Sequence, residues 1–430
     1  MNPSKVSLTG NNLEMSKQRG SAIEELTDQF CKRSFLQDFL FLRPKRVSIN
    51  RELADLMAIL DDKCLCIQIK AHGNDSPPLG QRLISWATKQ FIVAGHQAAG
   101  AIRKVRTSEI SATHPWRGTV VFHAGDLVPV CGIALVEYLG PPFALTLGVK
   151  PQTSKGIPVH YFSLNDFLNL VDLLGTLPDI IEYLRQRAEI SDDVRSMIGN
   201  ERDLYATYLL VGHLRPGLSY KELETRWSHL IDVEESFDRK RKHNIFVDFY
   251  NGLIDELRHQ DPDKLSYQPP ELTRYVIPVS DRTSYLEIAT RLNKLPYTYR
   301  REIGKHLFQT TKAVKDDGKT RMFTYRDLGQ PWVLTFLVTP SMDRTSRTRQ
   351  LNLLVASAQI QYGCQSVIGI ACPSLDSNQG FDYIFVDKVT YNEEEVKKFA
   401  PIITKTTEIT LTPFPKPVDD SLLPKDEDFE

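Results

Sequence analysis

The pattern of apolar and polar positions is most informative between Arg51 and Lys70, where two short runs rich in Leu, Ile, Met and Cys flank Asp61-Asp62-Lys63 and carry the polar residues Asp55, Gln68 and Lys70. Such runs around a polar turn predict a tight antiparallel hairpin. With the turn centred there, residues whose numbers sum to about 123 face each other. Asp55 then stands opposite Gln68, and Lys70 lies two residues further on, so the three polar side chains share one face. Glu52, three residues from Asp55 along the strand, is expected on the opposite face.

The flanking periodicities supply a frame for this hairpin. Ile23, Leu26, Phe30 and Phe35 recur at near-helical spacing and predict an amphipathic helix from Gly20 to about Leu40. A longer helix is predicted over about Leu79–Arg106, with small residues at Gly95, Ala98, Ala99 and Gly100 that permit close packing on a sheet. Strands follow at Gly118–His123 and Val128–Tyr138, with a weaker pair around Ala144–Val149 and Val159–Phe162. Ser163 and Thr176 are good N-caps for two successive helices, the second with Pro178 in its first turn. Helical patterns over Glu201–Val211, Tyr220–Leu230 and Asn244–His259 complete a helical middle region, in which the charged run Asp238–His243 is read as a solvated linker. Beyond a Pro-rich boundary near Asp261–Glu271 come helices at Ser284–Leu292 and Tyr297–Lys312, a strand at Trp332–Thr339, a helix at Thr345–Tyr362, and strands at Ser366–Cys372 and Asp382–Val386. Strand, helix, strand, strand is also the order from Cys64 to Tyr138.

The expected fold class is therefore α/β. Its parts are a polar, disordered segment 1–19, a sandwich over 20–162, a helical region over 163–262, a C-terminal α/β domain over 272–412 and an acidic tail over 413–430. Composition adds little to this and excludes some classes. No apolar run reaches membrane-spanning length and the N-terminus lacks the apolar core of a signal peptide, which predicts a cytoplasmic protein with no membrane association. The six cysteines are scattered in apolar segments and read as reduced core thiols. The net charge of −1 conceals a basic stretch: between Leu79 and Gly118 lie Arg82, Lys89, Arg103, Lys104, Arg106 and Arg117 against the single acid Glu109.

Burying an acid and an amine in an apolar strand pair is costly unless they are paired or solvated, which makes Asp55, Gln68 and Lys70 the candidate chemistry of the chain. An acid near the end of one strand, then an acid or Gln, any residue and Lys on the next, resembles the PD-(D/E)XK restriction-endonuclease-like nucleases, in the variant with Gln-x-Lys. The resemblance covers about Gly20–Tyr138 and implies an αβββαβ sandwich, with Ala54 where the family's name carries Pro. It further implies that Asp55, Gln68 and the backbone carbonyl of Ile69 hold Mg²⁺ or Mn²⁺, and that Lys70 orients water and steadies charge on the phosphate. Glu24 on the first helix, with Glu25 as the alternative, is the implied fourth member, through water to the ion or holding Lys70. The activity implied is hydrolysis of DNA phosphodiesters by an endonuclease of a restriction or anti-phage system. The alternatives are an RNA nuclease and a catalytically inactive interaction or scaffold subunit. Lys89, Arg103, Lys104 and Arg106 are the candidate nucleic-acid contacts. The chain has no nucleotide-binding loop, so any NTPase or sensor would be a partner protein, and self-association is a further expectation. Arg344, Arg347 and Arg349 are read as surface residues opening a helix, and His96, His123 and His160 as too dispersed for a zinc site.

Overall fold

The computed structural model describes residues 9–72, 80–115, 117–138, 153–154, 156–191, 200–211, 214, 233–259, 282–327, 331–340, 342–374, 380–389, 391–397 and 407–411. The expected strand around Ala144–Val149, the helix over Tyr220–Leu230, the Asp261–Glu271 boundary and the acidic tail lie outside them. The chain divides into two compact units after Lys242.

In the first unit, α1 (Thr9–Phe35) starts within the segment expected to be disordered and stops at Leu36, whose positive φ of 64° ends the helix. Next come β1 (Leu40–Leu42), β2 (Lys45–Arg46), β3 (Arg51–Glu52), β4 (Leu56–Leu60) and β5 (Lys63–Lys70). β4 and β5 form the expected hairpin, in the expected register: Leu56 faces Ile67 and Leu60 faces Lys63 across a two-residue turn in which Asp61 takes a left-handed φ of 61°. The rest of the unit is α2 (Gln81–Val105), β6 (Ile110–His114), β7 (Gly118–Phe122), β8 (Val128–Val136), β9 (Thr153–Ser154), β10 (Ile157–Ser163), α3 (Leu164–Leu174), α4 (Leu177–Glu189) and α5 (Glu201–Val211), with α6 (Val233–His259) running across the division.

Two sheets result. The larger runs β1-β4-β5-β8-β10-β9, with β8 parallel to β5 and β10 parallel to β8; the smaller runs β3-β2-β6-β7. β1 and β6 were not foreseen. The larger sheet buries Met57, Cys66, Ala134 and Tyr161 on its α2 face, and Leu56, Leu65, Ile67, Ile133 and Phe162 on the other. α2 approaches closely because a methyl group at Gly95 would meet the Tyr161 ring 2.7 Å away. The cysteines are free, all but the half-buried Cys364 fully enclosed, and burial pushes the Cys131 thiol up, as expected of inert core thiols.

The expected separate helical region is not separate. Phe167, Leu170, Leu174, Ile180, Tyr183 and Leu204 share one core with the strands and with Cys31 and Phe35 of α1. These helices form the second layer of the first unit, because the apolar faces of α3 and α4 are buried in the same core as the strands. Both N-caps are as expected, with Ser163 and Thr176 accepting from the backbone N–H groups of Asp166 and Asp179. A buried ion pair joins the layer: Arg187 Nη2 meets Glu201 Oε2 at 2.8 Å, Tyr183 donates to Glu201, and the guanidinium lies over the Phe162 ring at 4.5 Å.

The second unit contains the rest of α6, then α7 (Arg282–Asn293), α8 (Tyr297–Asp317), β11 (Arg321–Asp327), β12 (Trp332–Thr339), α9 (Arg344–Tyr362), β13 (Ser366–Pro373), β14 (Asp382–Asp387) and β15 (Thr407–Leu411), with strand order β14-β13-β12-β11-β15. β11 and β15 were not foreseen. Asp238–His243 lies inside α6 and not in a linker, and Arg347 is fully buried against Asp382 at 2.5 Å instead of lying on the surface.

Replacing Arg187 by Met leaves Glu201 buried without its cation. The expected outcome in a urea melt is a loss of about 3–5 kcal/mol, whereas converting Glu201 to Gln as well recovers part of it; an unchanged midpoint for the single variant would show that the pair does not hold this layer.

Candidate active site

The end of the β4–β5 hairpin is where the larger and smaller sheets part. The chain from Glu52 to Leu56 crosses from one to the other, so Asp55 precedes β4 instead of continuing its ladder. It is pinned from three directions: its N–H donates to Ile67 O at 3.1 Å, its carbonyl accepts from Arg43 N at 2.8 Å, and its Oδ2 accepts from Ile69 N at 2.5 Å. The side chain is 6% exposed. Gln68 is equally enclosed and donates through Nε2 to Leu53 O at 3.2 Å, while no hydrogen bond from the described residues reaches its Oε1. Ile69 offers its N–H to Asp55 beyond the last rung of the β4 ladder, and since the two polar groups of a strand residue project to one edge, its carbonyl is directed to the same side. Lys70 is half-buried and makes no ion pair within the described residues.

Burial pushes the Asp55 carboxyl up to about 7; the Ile69 N–H and the Lys70 ammonium pull it back, and Glu24 and a side-chain hydrogen bond with Glu52 push it further up. These groups therefore stand close enough to act on one another. Glu52 corrects the sequence reading, which placed it on the opposite face: that argument assumed an unbroken strand from Arg51 to Leu60, and the chain instead changes sheets between the two acids. Glu24 does not hold Lys70. Its Oε2 accepts from Arg43 Nε at 2.8 Å, and Arg43 also donates to Ser21 Oγ, so Glu24 fixes the residue whose backbone N–H caps Asp55. Glu25 is exposed. One further acid was missed: Glu137, buried just after β8, bonds by its N–H to Lys70 O at 2.7 Å and accepts from His72 N at 3.0 Å. A buried acid one residue past an apolar strand was the available signal.

The proposed nucleic-acid contacts do not converge. α2 returns along the sheet between the parallel strands β5 and β8, which sets its N-terminus near Lys70 and its C-terminus at the far end. Lys89 is exposed nearer the site end of the helix, whereas Arg103, Lys104 and Arg106 lie at the opposite end, more than 20 Å along a helix that rises about 1.5 Å per residue. His96 and His123 are exposed and His160 is buried beside Arg187. Among the described residues no group of three or more His, Cys, Asp or Glu side chains is arranged to hold a metal ion. The donors at Asp55 are instead a carboxyl, an amide oxygen and a backbone carbonyl, with Glu52 adjacent, an all-oxygen set that suits a hard divalent cation.

No protein-family model matches this sequence, and no curated protein or solved structure matches it. The described residues include no helix long and apolar enough to cross a membrane.

Because the folded state holds the Asp55 proton more tightly than the unfolded chain, this group's cost is absent below about pH 4 and grows until pH passes about 7. Asp55→Asn removes the cost. Without divalent cations the variant is expected to exceed the wild type in stability by about 2–4 kcal/mol at pH 8 and to match it below pH 4 in denaturant melts; parallel pH profiles would show that Asp55 is not the buried proton-binding group described.

Proposed function

We propose that the first unit is a metal-dependent endonuclease that hydrolyses DNA phosphodiester bonds. The observation that supports this reading is the convergence, at one end of one sheet, of the Asp55 carboxyl, the Gln68 amide oxygen and the Lys70 ammonium that makes no ion pair within the described residues. The order α1, β1, β4, β5, α2, β8, with β8 parallel to β5, also follows the helix, three strands, helix and strand of the PD-(D/E)XK nucleases, to which the first unit is assigned as part of this proposal.

The Asp55 carboxyl, the Gln68 amide oxygen and the Ile69 carbonyl would hold Mg²⁺ or Mn²⁺, and burial, which raises the Asp55 carboxyl to about 7, makes a proton the competitor for that place. Such an ion would supply acidity for the attacking water and neutralise charge at the phosphate. Lys70 orients that water and stabilises charge growing on the phosphate oxygens. Gln68 contributes an uncharged oxygen whose position is set by the Nε2 bond to Leu53, and Glu24 acts one step removed, by fixing Arg43. Asp55 needs no bond to Lys70 for any of this, since Ile69 N already holds its carboxyl in place. A restriction or anti-phage setting, with a sensor or NTPase as partner, belongs to the same proposal.

Incubated with plasmid DNA and Mg²⁺ or Mn²⁺, the wild type is expected to cut, and Asp55→Ala and Lys70→Ala to cut slower by on the order of 100-fold or more. Cutting that survives both substitutions in folded protein overturns the site, and RNA in a parallel reaction decides between the sugars. Independently of turnover, Mg²⁺ is expected to raise the melting temperature of the wild type at pH 8 and less at pH 6, because the ion and the Asp55 proton compete, and to leave Asp55→Asn unmoved. An equal shift in the variant would place the cation elsewhere.

A further inference from the structure

The hairpin formed by β2 and β3 carries charge that the fold does not use. From Arg43 to Arg51 the chain holds four basic residues and no acid, and the one acid of the ribbon, Glu52, stands opposite Lys45. Arg43 is committed to Glu24. The side chains of Lys45, Arg46 and Arg51 make no hydrogen bond or ion pair with the described residues, and Nε of Arg46 is buried with no partner among them. The register places Arg46 directly opposite Arg51. Like charges facing each other across a strand pair are destabilising, so this arrangement costs stability in the protein by itself and is relieved by an anion lying between or along the two strands.

The tip is unusual in a second way. Val47 is 43% and Ile49 is 53% exposed, and both sit in a single 3-10 turn closed by Asn50 in the left-handed region at φ 47°. Asn is one of the few residues that adopts this conformation at low cost. Two apolar side chains are therefore presented on a narrow, conformationally defined tip between basic strands. Phosphates flanking flat apolar bases are the complementary surface.

This ribbon is joined to the candidate site through the backbone. Leu53 N donates to Pro44 O at 2.8 Å and closes its base; Leu53 O accepts from Gln68; and Arg43 N holds Asp55 O. β2 is also paired to β6, and Val47 N donates to Glu109 O at 3.0 Å, which braces the ribbon against the smaller sheet. A duplex gripped here is held in fixed relation to Asp55 and Gln68.

We infer that the ribbon Lys45–Glu52 is a duplex-DNA-binding element, with Lys45, Arg46 and Arg51 on the phosphates and Val47 and Ile49 against base edges in a groove. The inference rests on the phosphodiesterase reading of the Asp55 site, and binding measured apart from cleavage separates the two. The full-length chain is titrated into a fluorescein-labelled duplex of about 20 base pairs in EDTA, across about 50–200 mM salt. The double variant Lys45→Ala/Arg51→Ala is expected to bind on the order of tenfold more weakly and to lower the slope of log affinity against log salt by about 2. Val47→Ser/Ile49→Ser is expected to weaken binding with the salt slope unchanged, and a 2-aminopurine duplex is expected to lose its fluorescence response to this variant alone. All four positions are exposed, so melting curves matching the wild type are the control for folding.

Wild-type binding that both double variants retain overturns the inference, as does absence of duplex binding or preference for an RNA duplex. Ribbon-dependent binding by a chain that cuts nothing in Mg²⁺ or Mn²⁺ supports the ribbon and removes the nuclease reading. Cleavage that continues unchanged in both double variants removes the ribbon and leaves the nuclease.

Discussion

A single carboxyl group in an almost dry position constrains the first unit. Asp55 is enclosed where two sheets separate, and the fold compensates its burial with one strong hydrogen bond, from Ile69 N, and with the field of Lys70. Those two groups sit on the same strand as Gln68, so the hairpin cannot slip by one residue without sending Gln68 and Lys70 to the opposite face and Ile69 N–H to the opposite edge. The two-residue turn at Asp61-Asp62 prevents that slip. The register of one hairpin thus determines both the stability of the buried acid and the composition of the site.

The layer behind the sheet repeats this logic with other groups. Arg187 and Glu201 are buried among Phe162, Tyr183 and His160, and each charge is tolerable there only because the other is present with hydrogen bonds around it. The pair ties α4 and α5 together directly behind β10, and β10 lies beside β8, whose last residues flank Lys70. Rigidity at the site is therefore supplied from both faces: close helix packing through Gly95 on one side, and an ion pair set into an apolar layer on the other.

The hairpin and its register were legible because a tight turn and a period of two leave one arrangement. The N-caps at Ser163 and Thr176 were legible for a similar local reason. β1 was not, since Leu-Phe-Leu is too short to carry a period and was absorbed into the preceding helix, which Leu36 ends by taking a positive φ. β6, Ile-Ser-Ala-Thr-His, is half polar because its outer face is solvated, and β11 opens and closes on charged residues. Glu52 was misplaced because parity along a strand says nothing once the chain changes sheets. The helical layer was taken for a separate region because an amphipathic stripe shows that a face is buried without naming what covers it; Leu164, Phe167, Leu170, Val171, Leu173 and Leu174 of α3 form one such face.

The echo between the two halves of the chain bears on where chemistry resides. In the second unit β11 pairs antiparallel with β12, α9 follows, and β13 lies parallel to β12, which repeats the sequence β4, β5, α2, β8. The three residues that end β12 are Leu337, Val338 and Thr339, where β5 ends in Gln68, Ile69 and Lys70, and the residue facing Val338 is Arg321. The nearest buried charge in this unit is Asp382, neutralised by Arg347 at 2.5 Å and by Arg344 at 2.8 Å, with Gly380 O accepting from Arg347. A carboxylate whose charge is neutralised by two guanidinium groups has little attraction left for a cation, whereas the Lys70 amine beside Asp55 makes no ion pair within the described residues and no hydrogen bond from them reaches the Gln68 amide oxygen. The same arrangement of strands and helix thus supports a closed ion pair in one unit and an open donor set in the other, and the difference lies in a handful of side chains at strand ends.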